Sequence, residues 1–94
     1  MNKFFVEKFN ASDDSFQVSE LHISAGDFVK EGALIFAVES SKADIDVEAP
    51  LEGYYYFVIS TGTNINIGEL FHIVSQEKLL EYKSFFNSQN GKSD

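Results

Sequence analysis

Few side chains in this 94-residue chain could do covalent or coordination chemistry. The lysine in the run Glu39-Ser40-Ser41-Lys42-Ala43-Asp44 is one. Its amine could be acylated, although an ammonium group is no nucleophile until an enzyme deprotonates it. Ser40 and Ser41 adjoin Lys42 and lack the Ser-x-x-Lys spacing of a nucleophilic pair. His22 and His72 are the only histidines and sit at unrelated places in the chain, which reads as two strand residues and not a shared metal site. The absence of cysteine excludes disulfides, thiolate zinc sites and thiol catalysis. There is no Gly-rich phosphate loop. No catalytic constellation emerges, and the chain reads as non-catalytic.

The elements that must position Lys42 are two alternating runs. Leu34, Phe36 and Val38 fall on one side of the first, and Ile45, Val47 and Ala49 on one side of the second. Asp44, Asp46 and Glu48 then point outward. For the apolar faces to pair, the chain must reverse near Ser41 and Lys42. The turn has neither Asn nor Gly, the residues that a hairpin chosen for stability alone would favour. Lys42 is therefore expected at an exposed tip.

Sliding the chain by about 36 positions against itself reveals a repeat. Ser24 to Val38 falls on Ser60 to Val74, with Gly26 on Gly62, Gly32 on Gly68 and Leu34 on Leu70. Upstream, Val18, Leu21 and Ile23 fall on Tyr54, Phe57 and Ile59. The shared unit is strand, glycine turn, short link, glycine turn, strand. Two copies are too few for a solenoid. They predict an all-β fold, a pseudo-two-fold flattened barrel or sandwich of two antiparallel sheets, each borrowing strands from both halves, with roughly six to eight short strands. By this register Tyr54 and Phe57 belong to the core, and Tyr55 is the candidate for an exposed docking position.

Outside the repeat, the pattern predicts an N-terminal strand over Lys3 to Phe9 and a polar loop over Asn10 to Ser15. Leu79, Tyr82 and Phe86 have the spacing of one helix face within Gln76 to Phe86. Asn87 to Asp94 reads as a frayed tail. The division is a domain over 1–75 followed by a short helix and flexible tail over 76–94.

Composition limits the function classes. Apolar residues make up 44% and charged residues 23%, a globular balance. Seven basic against 15 acidic residues give a formal charge of −8, which repels nucleic acids and anionic membranes. No apolar run is long enough to span a bilayer, and the first residues lack a signal-peptide core, so a cytoplasmic location is expected.

One resemblance unites these features. The run Glu20 to Val29, then Gly32, Glu39-Ser40-Ser41-Lys42-Ala43, Ala49-Pro50-Leu51-Glu52-Gly53, Gly62 and Gly68 resembles the lipoyl domain of 2-oxo acid dehydrogenase complexes, over about residues 18–74. The resemblance implies that Lys42 carries covalent lipoate. It also implies that Glu39, Ser41, Ala43 and Gly53 are read by the modifying enzyme, with Ser41 standing where the family has aspartate. The related biotin-carrier domain is similar in fold but flanks its lysine with methionines. Ser41 and Ala43 stand there instead, which favours lipoate over biotin.

The partners implied are a lipoate ligase or lipoyl transferase and the enzymes of a dehydrogenase complex. A lysine at a rigid tip suits a tether that visits several active sites, with the cofactor supplying the chemistry. Two alternatives remain on the same fold: a biotin carrier, and an unmodified lipoyl-like structural or interaction module.

Overall fold

The computed structural model describes the backbone of residues 1–90 and the side chains of residues 1–87. It contains eight strands and one helix: β1 (Asn2–Phe5), β2 (Ser15–Leu21), β3 (Phe28–Val29), β4 (Leu34–Glu39), β5 (Asp44–Glu48), β6 (Gly53–Tyr56), β7 (Asn64–Asn66), β8 (Leu70–Ser75) and α1 (Lys83–Asn90). Two four-stranded antiparallel sheets form, ordered β1-β8-β6-β3 and β5-β4-β2-β7. They stack as a flattened sandwich measuring 37 × 36 × 20 Å and do not close into a barrel.

The two strand orders reflect the internal repeat. β2, β3 and β4 correspond to β6, β7 and β8, and β3 and β7 each cross to the other half's sheet. The turns repeat as well. At Gly26 and Gly62 the backbone takes φ of 96° and 93°, a conformation that a Cβ would strain. The turn bonds there are equivalent, from Asp27 N–H to the Ser24 carbonyl (3.0 Å) and from Thr63 N–H to the Ser60 carbonyl (2.9 Å).

β5 has no sequence counterpart after β8. Its place in the first sheet is filled by β1, which enters from the other end of the chain. The equivalence holds in detail: Ala49 N–H bonds the Ala33 carbonyl and Val6 N–H bonds the Glu69 carbonyl, each at 2.8 Å. Ala33 and Glu69 are 36 positions apart. One half of the fold therefore closes its hairpin at Lys42, and the other leaves the equivalent hairpin open at the N-terminus.

The core between the sheets centres on Phe36, which is fully buried with ring centroids 5.0 Å from Phe57 and 5.1 Å from Phe71. Truncating a side chain so placed typically costs about 3–5 kcal/mol. A second cluster covers the outer face of the β1-β8-β6-β3 sheet, where Tyr56, Leu70, Ile73 and Phe86 pack with Leu79 and Tyr82. With both faces covered, every residue of β8 is buried.

Several sequence expectations change. The N-terminal strand stops at Phe5 instead of continuing to Phe9, because the Asp13 carboxylate accepts the N–H groups of Phe9 (2.8 Å) and Asn10 (2.7 Å) and bends the chain. Leu34, expected inside, is 45% exposed, and Ile35 is fully buried in its stead. A register shift in the β4–β5 pairing between Leu34 and Phe36 lets Ile35 and Phe36 both enter the core.

Tyr55 is fully buried, opposite to its expected surface position, since it shares the inward face of its sheet with Phe57 and packs in the core between the sheets. Its hydroxyl donates to the Leu51 carbonyl. Tyr54 is half-buried against the second cluster, and Phe57 is core. The helix begins at Lys83 and not Gln76: the Leu79 N–H is taken by the Tyr56 hydroxyl at 2.8 Å, and Glu81 caps the first turn through Ser84. It continues to Asn90, so only Gly91 to Asp94 of the expected tail lie outside the described residues.

Candidate attachment site

β4 and β5 stay in register up to the turn, with Val38 opposite Ile45 and Glu39 opposite Asp44. Between them Ser40 braces the reversal with both backbone and side chain. Its N–H donates to the Ala43 carbonyl (2.8 Å), and its Oγ accepts the N–H groups of Lys42 (3.2 Å) and Ala43 (3.1 Å). The hydroxyl does the work that Asn-Gly does in other hairpins, which accounts for a tight turn without either residue.

Ser41, Lys42, Ala43 and Asp44 are all exposed. The Lys42 Nζ has one contact, a 3.4 Å approach to Ser12 Oγ in the loop before β2. Among the described residues no carboxylate pairs with it, and the only close contact between a basic and an acidic side chain is His22 Nε2 with Glu20 Oε1 at 3.3 Å. A solvent-facing amine on a braced turn, free of a competing carboxylate, fits a covalently attached group.

Glu39 and Asp44 lie directly opposite each other at the base of the tip. Like charges so placed disfavour the pairing. Asp46 and Glu48 continue the exposed acidic row along β5. Beside the tip, a polar cleft of about 350 Å³ is lined by Ser12 to Gln17, Glu39 to Ser41 and Asn64. Ser12 and Asp13 escaped the sequence reading, where Asn10 to Ser15 was only a polar loop. The signal was the acidic residue three positions after Asn10, the spacing of a side chain that folds back on its own backbone.

Glu39, Ser41, Lys42 and Ala43 thus share one exposed turn. Gly53 does not join them. β5 carries the chain roughly 15 Å from the tip before the Ala49 to Glu52 link returns it to β6. Gly53 instead faces β8 at the other end, where a Cβ would stand 2.7 Å from Val74 Cγ1 and 2.9 Å from the Ser75 carbonyl oxygen.

A family model described as "Biotin-requiring enzyme", the biotin/lipoyl attachment domain, matches residues 10–75, well over half of the chain. The chain belongs to the biotin/lipoyl attachment family. A search of curated proteins gives no match. The matched residues run from the loop before β2 to the end of β8, leaving out β1 and α1. Biotin/lipoyl attachment domains are carriers of a covalently bound group, lipoate or biotin, and are generally non-catalytic. Their partners are modifying enzymes and the catalytic subunits they serve.

The histidines of this biotin/lipoyl domain stand apart from the tip. His22 is exposed beyond β2, while His72 is buried in β8, and among the described residues no cluster of potential ligands could hold a metal. Burial lowers the His72 pKa to about 4, so the ring is neutral.

Proposed function

We propose that this domain is a lipoyl carrier whose Lys42 is joined to lipoate by an amide and which serves a 2-oxo acid dehydrogenase-type complex in the cytoplasm. The observation that carries this reading is Lys42 at an exposed, serine-braced tip, flanked by Ser41 and Ala43 where biotin carriers have methionines. In attachment, the amine forms a C–N bond to the activated lipoyl carboxyl. The activating group leaves and the nitrogen loses a proton. A lipoate ligase or lipoyl transferase supplies the activation.

When bound, lipoate supplies a dithiolane that accepts an acyl group and two electrons. The chain itself anchors, orients and identifies. Ser40 holds the turn, so the arm swings from a fixed pivot. Glu39, Ser41 and Ala43 are the contacts next to the pivot that a modifying enzyme reads, and Gly53 sets the fold behind it. Acylation removes the one cation at the tip and leaves Glu39, Asp44, Asp46 and Glu48 as an unrelieved acidic face. That face steers the domain to basic surfaces on its partner enzymes.

The test is acceptor activity in vitro. Purified protein is treated with lipoate and a lipoate ligase, and separately with biotin and a biotin ligase, and read by intact mass. The lipoyl adduct is expected on the unsubstituted chain and absent from Lys42→Arg. A biotin adduct alone reassigns the cofactor. No adduct, while a known lipoyl domain is modified alongside, leaves an unmodified module.

A further inference from the structure

A second cavity, of about 160 Å³, opens between the β1 and β5 edges of the sandwich and shares only Phe16 with the cleft beside Lys42. Its wall is apolar and largely aromatic, including Phe4, Phe9, Phe16, Val47, Ile65 and Phe71. Phe5 and Phe9, 42% and 56% exposed, also line it. Among the described residues, the only charged side chains on its lining are the exposed Glu7 and Glu48, which repel anions. The volume is that of an apolar cavity known to admit a single benzene ring.

His72 is the polar member of the wall. It is only 3% exposed, and neither Nδ1 nor Nε2 finds a partner among the described residues. Buried polar atoms are seldom left so. The repeat supplies an internal control: 36 positions earlier the equivalent β4 residue is Phe36, a plain core ring. Packing alone is met by phenylalanine at this place in the fold. Phe4, half-buried, stacks on the His72 ring at 5.0 Å and is the one covering group on an edge strand.

We propose that this cavity binds a small neutral ligand, a single ring bearing one hydroxyl, seated against the apolar wall with its hydroxyl bonded to His72. Neutral imidazole offers one donor and one acceptor, and a hydroxyl matches either. Phe4 lies over one face of the ring, so its movement widens the mouth of the cavity, and the hydroxyl meets a ring nitrogen in the imidazole plane. The site stands whether or not Lys42 is acylated.

Phenol tests the assignment, with toluene as the same shape without the hydroxyl, each titrated into the full chain and followed by NMR. Saturable shifts are expected at Val47, Ile65, Phe71 and His72. Phenol should bind about two- to tenfold more tightly than toluene, the range of one net hydrogen bond. His72→Phe, the residue that the other half uses, should bind both equally. Val47→Trp, which fills the cavity and keeps His72, should abolish both. No saturable shift with either probe, shifts centred on Phe28 or Leu80, or equal affinity for phenol and toluene in the unsubstituted protein would overturn the proposal.

Discussion

Gly53→Ala separates packing from recognition at a residue that the family resemblance links to modification. The new Cβ would lie 2.7 Å from Val74 Cγ1, 2.9 Å from the Ser75 carbonyl oxygen and 3.0 Å from Gln76 Nε2, on a backbone with φ of +156°. The glutamine end can move. Val74 is fully buried and the Ser75 backbone is held in the β6–β8 pairing, so neither of those can retreat without opening the strand pair. Overpacking of this kind costs about 1–3 kcal/mol. For a domain of this size each kcal/mol lowers Tm by about 4–8 °C, so thermal unfolding followed by circular dichroism should show a drop of roughly 5–20 °C. An unchanged Tm would refute the packing argument. Lipoylation measured well below both midpoints isolates recognition: a rate that falls there, with the variant folded, marks direct contact with the modifying enzyme.

His72 makes stability depend on pH. Its folded pKa, about 4 against an ordinary 6.5, means that the unfolded chain takes up the proton first. Stability from this residue is therefore complete above about pH 6.5 and lost as pH falls toward 4, by about 3 kcal/mol in all. Urea unfolding across that range should be steeper in pH than for His72→Phe, and parallel curves would contradict the assignment. Ser40→Ala removes the acceptor for two turn N–H groups, and should cost about 1 kcal/mol and raise hydrogen exchange at Lys42 and Ala43. Unchanged exchange there would mean that the hydroxyl does not brace the turn. Reversing Asp44 and Asp46 to lysine should slow association of the lipoylated domain with a partner dehydrogenase several-fold at low salt, with the difference fading as salt rises. A salt-independent rate would argue against steering.

Much of the architecture was legible because repetition and alternation are properties of the sequence itself. The glycines at 26 and 62 marked the same turn twice, and the outward acids of β5 alternated cleanly. What resisted reading depended on layers that sequence periodicity does not record. Tyr55 reads as exposed when Tyr54 and Phe57 are both given to the core, but three positions apart on a strand they face opposite ways, and it is Tyr55 that shares the inward face with Phe57. A register slip moved Leu34 out and Ile35 in. The partner of β8 came from the other end of the chain, which no local pattern announces. At the site, Lys42 was found from the reversal of alternation, but its brace was not. In the sequence Ser40 is a hydroxyl beside a lysine, while its role lies in backbone bonds that form only once the turn exists.

The most direct measurement is intact mass and peptide mapping of the protein isolated from cells able to make lipoate, beside Lys42→Arg. Lipoyl carriage predicts one lipoyl adduct, mapped to Lys42 and absent from the variant. A bare mass for the unsubstituted chain, with a known lipoyl domain from the same cells fully modified, would contradict it.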